Sequence, residues 1–293
     1  MEVIERDCPI CKSDVTHSFG RRGHMYVREY QDLGTFPSPL VEQCIQCDLV
    51  YLNPVMTDEE YKRFYDNDQQ KKFVTSIAGE TGVKYQAKIS RDDKRRAKLV
   101  NKYVHPNLKL LDVGTGYSNF VGLIDGAIGV DISEARVRSA QERGLDVRLC
   151  NISDWKEEVD TVTLFHVLEH IPEPAPFLHH IYDVLGHNGR LIVEVPNLND
   201  ALVGLEKYKS FYFQNAHCSY FTPKSLTKLL NNERFLVEKE IRLQRYSFDN
   251  HLYWLLRGKP GKFKSLSFMN AAYSAFLKTI RKHDTIFLVC NKG

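Results

Sequence analysis

Leu110 to Phe120 reads LLDVGTGYSNF, an apolar run that breaks into a glycine turn. The alternatives for such a turn are few. A dinucleotide loop has the spacing GxGxxG and seats a pyrophosphate on a helix N-terminus. Here Gly114 and Gly116 fill the first two glycine positions, Ser118 and Asn119 follow with no glycine at the third, and Asp112 ends the strand ahead of them. A carboxylate at that point repels a pyrophosphate and attracts a cation.

Outward from this stretch the pattern alternates. LKLLDVG, AIGVDIS, LDVRLCNIS, VDTVTLFHV and GRLIVEVPN read as five successive strands. SNFVGLI, SEARVRSAQERG and APFLHHIYDVLGHNG read as the helices between them, the last closed by a glycine. Near-continuous apolar strands with helical crossovers predict an α/β fold around a parallel, doubly wound sheet. Ligands of such sheets sit at the carboxyl ends of the strands. S-adenosylmethionine suits the turn, because it carries an ammonium and a sulfonium and no phosphate. Asp112 would meet its amino-acid end, Gly114 and Gly116 would let the backbone come close, and Asp131, ending the second strand, would accept the ribose hydroxyls.

The 293 residues carry a formal charge of +3 and an apolar share of 43%. This suffices for one large domain and a smaller module. No long basic run calls for nucleic acid, and no apolar stretch is long enough for a membrane span. A soluble cytoplasmic protein is the expectation. Four of the seven cysteines form two CxxC pairs, Cys8 with Cys11 and Cys44 with Cys47. Two such knuckles complete a tetrahedral thiolate site with no open position, which predicts structural Zn²⁺. His17 and His24 lie between them as alternative ligands. The expected organisation is a zinc-binding module over 1–56, a helical connector or lid over 57–105, and the main domain over 106–293. Thr57 and Glu60 form a capping box at the start of the connector, and the charged helix within ISRDDKRRAKLVNKYV is expected to expose its charges to solvent.

LLDVGTG, GVDIS, LFHVLEHIPEP and LGHNGRLIVEVPN, in that order, resemble the class I S-adenosylmethionine-dependent methyltransferases over 109–199. The resemblance implies a Rossmann-like sheet with an antiparallel last strand, here from RFLVEKEIR and TIFLVCN after a helix at Pro223–Leu230. It also implies that Ile132 lies beside the cofactor, that Asn151 or Asp154 takes the adenine amino group, and that Ile152 and Trp155 wall the ring. The CxxC pairs followed by LVYLNP, with HCSYFTPKSLTKLL further on, are similar to bacterial sugar- and polysaccharide-modifying methyltransferases that carry a zinc module. In the sugar C-methyltransferases of that group a tyrosine and a glutamate precede the motif histidine, at positions held here by Gln214 and Ala216. That departure favours O-methylation of a sugar, sugar nucleotide or capsular group, with N- or C-methylation behind it.

Methyl transfer to a hydroxyl needs a group to accept its proton. The candidates are His217, ranked first, then His166, which also borders the cofactor, with Glu169 and His170 beside it. Tyr212, Asn215 and Tyr220 are candidate acceptor contacts. No dedicated acidic cluster marks a catalytic divalent ion. A second reading, an RNA methyltransferase, would use Lys12, Arg21, Arg22 and Arg28 to hold phosphates. A helical insertion is expected over 246–283. The insertion would cover the acceptor site or a dimer face; in the alternative, Tyr253, Trp254, Leu255 and Leu256, flanked by Arg257, Lys259, Lys262 and Lys264, would form a peripheral contact with a membrane or a lipid-linked glycan.

Overall fold

The computed structural model describes residues 2–21, 40–57, 59–61, 89–105, 109–213, 216–261, 263 and 268–293. Most of the predicted lid (62–88), His24, Arg22, Arg28, Asn215, Lys262 and Lys264 lie outside them.

The N-terminal part is built from β1 (Val3–Ile4), β2 (Thr16–Arg21), β3 (Leu40–Cys44), β4 (Val50–Asn53) and β5 (Val55–Met56). Helix α1 (Arg91–Val100) leads into β6 (Leu110–Val113), β7 (Ile128–Asp131), α2 (Glu134–Gln141), β8 (Val147–Leu149), β9 (Val159–Phe165), α3 (Pro174–Val184) and β10 (Leu185–Pro196). Then follow α4 (Glu206–Tyr212), β11 (Ser219–Tyr220), α5 (Pro223–Asn232), β12 (Phe235–Leu243), α6 (Phe248–Arg257), α7 (Asn270–Thr279) and β13 (Thr285–Lys292).

The main sheet has the order β12-β13-β10-β9-β6-β7-β8. β10, β9, β6, β7 and β8 pair in parallel, and β13 runs antiparallel between β10 and β12. Successive strand residues point to opposite faces, and both faces are covered. Leu111, Val113, Leu191 and Val193 join a core with Leu178 and Ile181 of α3 and Leu226 and Leu229 of α5. Leu110 and Ile192 join another with Ala97 and Val100 of α1, Phe120 and Phe287.

The second sheet has the order β11-β4-β3-β2. Its outer strand comes from residues after β10, with Ser219 opposite Tyr51 and Tyr220 opposite Val50. Cys8, Cys44, Cys47, Leu49 and Tyr51 belong to the same core as the main sheet. The cysteine-bearing sheet is thus packed into the fold and completed by it.

Three local expectations are corrected. SNFVGLI makes only a 3-10 turn at Val121–Leu123. A short segment between glycines cannot repay the cost of helix nucleation. Helix α3 does not end on a glycine cap: Leu185 is already extended, and Gly186 and Gly189 lie in the irregular start of β10. The charges of α1 are only partly solvated: Arg91, Lys94 and Lys98 are exposed as expected, and the others are not. Its Arg96 and Asp93 are buried, and Arg95 and Arg96 both bind Glu194.

Candidate active site

Gly114 and Gly116 adopt left-handed backbone, at φ +74° and +60°. A Cβ on Gly114 would stand 2.6 Å from Val167 Cγ2, so this position needs glycine on two counts. Gly116 N–H donates to Asp131 Oδ2 at 2.8 Å, and Ser133 N–H donates to Oδ1 at 2.9 Å. Asp131 therefore ends β7 clamped beneath the turn, and each of its oxygens keeps a lone pair for a hydroxyl donor. Ser118, two residues past Gly116, donates to Asp93 Oδ1 at 2.7 Å. Asp93 also closes the capping box of α1 with Ser90. The glycine turn and α1 are thereby tied together.

The 3-10 turn after the glycines offers no helix N-terminus to a pyrophosphate, in keeping with a phosphate-free ligand. Asp112 is buried, and its Oδ1 accepts from Thr163 at 2.6 Å. Burial pushes its carboxyl up to about 6, against the Thr163 hydrogen bond and the Arg96 charge. A cationic ligand nearby would offset that cost. Ile132, beside Asp131, is exposed, whereas Ile152 and Trp155 are buried in the main core. Trp155 donates its indole N–H to the Glu157 carbonyl, and Arg148 covers its ring. Asn151 begins the next 3-10 turn and accepts from Ser153 N–H at 3.4 Å, with Asp154 exposed in the same turn.

The histidine and glutamate candidates come together after β9. His166 lies at φ +58°, a conformation uncommon outside glycine and frequent at functional sites. Its backbone N–H donates to the Glu194 carbonyl at 2.8 Å. Arg245 Nη1 lies 2.7 Å from His166 Nε2. Arginine only donates, so Nε2 accepts and Nδ1 carries the proton. Nδ1–H donates to Glu169 Oε1 at 2.9 Å. Glu169 is buried; burial opposes its charge, but His166, His170 and His217 hold its carboxyl down at about 2. His170 and His217 stack edge to face, with ring centroids 4.7 Å apart. Burial, reinforced by His170, pushes His217 down to about 3.

His217 reaches this group through the second sheet. Cys218 N–H donates to the Glu169 carbonyl at 2.7 Å, and Leu52 N–H of β4 donates to the Cys218 carbonyl at 3.0 Å. Arg6 adds a hydrogen bond to the Cys218 carbonyl at 2.7 Å and another to the Pro172 carbonyl. Tyr212 and Tyr220 pack in an aromatic core with Tyr208, Phe213 and Trp254. The Tyr212 hydroxyl has no partner there among the described residues.

Sequence reading missed the charged groups around His166. Glu194, buried in β10, accepts from Arg95 at 2.7 Å and from Arg96 at 2.8 Å. Asp92 accepts from Arg245 at 2.6 Å. The only sequence signal was an acid inside the apolar strand LIVEVP. A cavity of the described structure is lined by residues such as Phe19, Asp200, Lys224 and His283, and by none of the groups above. It is not taken as the active site.

The four cysteines also converge. Their sulfurs lie within 4.8 Å of one another, with Cys8 to Cys47 and Cys11 to Cys44 each at 3.4 Å. A disulfide is about 2.05 Å long, so these are free thiols. Tetrahedral zinc with bonds of about 2.3 Å fits this spacing after a small expansion. Both knuckles have the same build: Lys12 and Asp48, just past each pair, are left-handed, and their N–H groups donate to Cys8 and Cys44 carbonyls. His17 is exposed on β2. In the insertion, Trp254 turns inward onto Tyr208 and Phe211, so it does not share the exposed face of Leu255 and Leu256. No helix among the described residues is long and apolar enough to cross a membrane.

A seven-stranded sheet with one antiparallel strand, a glycine turn and an acid ending β7 define the Rossmann-like class I methyltransferase fold. The chain belongs to the methyltransferase-domain family, whose model matches residues 82–239. It is 29% identical over 121 residues to the ubiquinone biosynthesis O-methyltransferase of Pseudomonas entomophila, covering 33% of this chain and 50% of that protein. It is 26% identical over 137 residues to an uncharacterized protein of Methanocaldococcus jannaschii, covering 44% and 65%. The chain thus spans between half and two-thirds of the length of these curated relatives. Among solved structures, magnesium protoporphyrin IX methyltransferase from Synechocystis superposes with a TM-score of 0.52 at 16% identity, covering 81% of this chain and all (100%) of that one. The cyclase SpnF also scores 0.52, at 17% identity, covering 81% and 97%. A cyclase on the same fold shows that the fold alone does not name the reaction.

Proposed function

We propose that this chain transfers the methyl group of S-adenosylmethionine to a hydroxyl oxygen, with His166 as the base. The observation that carries this reading is the His166–Glu169 pair. Glu169 holds Nδ1–H, which puts the lone pair on Nε2 at the carboxyl end of β9, where it accepts from Arg245 and where the acceptor hydroxyl would take Arg245's place. A base fixed by a third group is the arrangement that hydroxyl activation calls for. His217, ranked first from sequence, is the weaker base, because burial holds it neutral down to about pH 3.

Asp131 would take the ribose hydroxyls, Gly114 and Gly116 would admit the cofactor, and Ile132 would face the adenine. Asn151 or Asp154 would meet its amino group. The acceptor oxygen forms a bond to the methyl carbon as the carbon–sulfur bond breaks. That electron pair stays on sulfur, giving S-adenosylhomocysteine, and the hydroxyl proton passes to His166 Nε2.

The acceptor is read as a sugar, sugar nucleotide or polysaccharide unit. Support comes from the cysteine sheet, whose likeness to sugar-modifying enzymes was drawn from sequence and whose strand β11 delivers His217. Ala216 occupies the slot where a C-methylating relative has an acid. Of the proposed phosphate contacts, Lys12 is engaged with Glu173 at 2.8 Å, which counts against RNA. Methyl-labelled S-adenosylmethionine added with the protein to a cell extract tests the reading. Label is expected in nucleotide sugars or glycans, and label in RNA would replace this reading.

A further inference from the structure

We propose that Glu169, His170 and His217 hold a divalent transition-metal ion that binds the acceptor's hydroxyl oxygen beside the methyl donor. The ligand atoms of these three side chains lie within 4.8 Å of one another. Two come from the turn after β9. The third is carried in by the pairing of β11 with β4.

The first argument is an orphaned oxygen. Glu169 is 2% exposed, and its Oε2 has no hydrogen-bond partner among the described residues. Buried carboxylate oxygens are seldom left this way, and each one calls for an explanation such as an ion. The other oxygen, Oε1, is taken by His166 Nδ1–H. If the cluster were only a hydrogen-bonded brace, Oε2 would be the atom the two histidines bind, and it is not.

The second argument is the outer layer. His170 Nδ1 lies 2.7 Å from the Ala216 carbonyl oxygen. A carbonyl only accepts, so Nδ1 donates and Nε2 carries the lone pair. Metal-ligating histidines almost always donate their other ring N–H to a carbonyl or carboxylate, and ligating carboxylates are hydrogen-bonded in turn. His170 meets the first condition and Glu169, through His166, the second. The His170 and His217 rings stand at 80° to each other, so they do not stack flat.

The donor set selects the ion. Two imidazoles and one carboxylate suit first-row transition ions, whereas Mg²⁺ and Ca²⁺ prefer all-oxygen sites. Three protein ligands also leave positions open for a substrate oxygen. The site shares no residue with the cysteine cluster. A metal lowers the pKa of a bound hydroxyl or water by several units, so the proton passes more readily to His166 Nε2. The site itself rests on geometry; its role in turnover rests on the O-methyl-transfer reading.

Mn²⁺ titration of the purified full-length chain, followed by the loss of the free-ion electron paramagnetic resonance signal, tests the site. The wild-type chain is expected to bind one Mn²⁺. Glu169→Gln, nearly isosteric, and His217→Asn are each expected to weaken binding about tenfold or more. S-adenosylhomocysteine calorimetry on the same variants shows that the fold and cofactor site persist. Absence of Mn²⁺ binding by the wild-type chain, or unchanged binding in both variants, would overturn the site. The two readings separate cleanly. Methyl transfer to hydroxyls that survives without Mn²⁺ binding sinks the metal and keeps the function. Mn²⁺ binding with label only in non-hydroxyl products keeps the site and sinks the function.

Discussion

Glu194 and Arg96 form a buried ion pair 2.8 Å long between residues 98 positions apart in sequence. Arg95 completes the clamp from the same helix at 2.7 Å. Burial opposes the Glu194 charge, but the Arg96 charge and the hydrogen bond from Arg95 hold its carboxyl well below the usual range. The clamp fixes α1 against the strand whose carbonyl anchors His166. Removing one partner from a buried pair costs about 3–5 kcal/mol, because the other charge is left uncompensated. Glu194→Gln should lower stability by that amount in urea unfolding, and methyl transfer should fall with it.

Gly114 and Gly116 should respond differently to alanine. Both sit in left-handed backbone, which costs an L-residue roughly 1–2 kcal/mol. Only Gly114 would also drive a methyl into Val167; nothing comes closer than 3.9 Å to a Cβ on Gly116. Gly114→Ala should weaken S-adenosylhomocysteine binding more than Gly116→Ala does, and should also melt lower. Calorimetry and thermal melts on the pair decide the ranking.

Asp112 makes stability depend on pH. Its folded pKa is raised to about 6 by burial, against about 3.9 in an unfolded chain. Below the unfolded value the carboxyl is protonated in both states. As pH rises toward 6, the unfolded chain gives up a proton that the folded chain still holds. Stability therefore falls across that window by about 3 kcal/mol. Asp112→Asn should remove this slope and raise stability near pH 7, while weakening cofactor binding. Urea unfolding at several pH values reads the first effect.

His166→Asn tests the base. Asparagine tolerates the left-handed conformation that His166 adopts at φ +58°. Losing a general base typically lowers turnover about 10² to 10⁴-fold. S-adenosylhomocysteine affinity should change far less. Turnover equal to the wild type would remove His166 from the role.

The cysteine cluster predicts a single bound zinc by elemental analysis. Cys47→Ser should lose it and lower the melting temperature, because Cys8, Cys44 and Cys47 are buried in the main core. Because β11 hangs on the same sheet, the variant should also lose methyl transfer. Retained activity without zinc would separate the cluster from the site.

What the sequence determined by itself was local. The strand LLDV, the glycine turn, Asp131 at a strand end and the paired CxxC knuckles each declare themselves within a few residues, because strand alternation, left-handed turns and ligand spacing are short-range properties. The helix expected at SNFVGLI failed because glycines on either side leave too few residues to nucleate. Tertiary structure decided the rest. Glu194 finds its arginines 98 and 99 positions away. His217 comes to Glu169 and His170 only because β11 joins a sheet begun near the N-terminus. Arg95 and Arg96 of α1, in a run that read as a solvated face, became a clamp on the buried Glu194, while Arg91, Lys94 and Lys98 stayed exposed. No local pattern encodes such meetings: they follow from which buried charges and unpaired carbonyls must find partners once the sheets have packed.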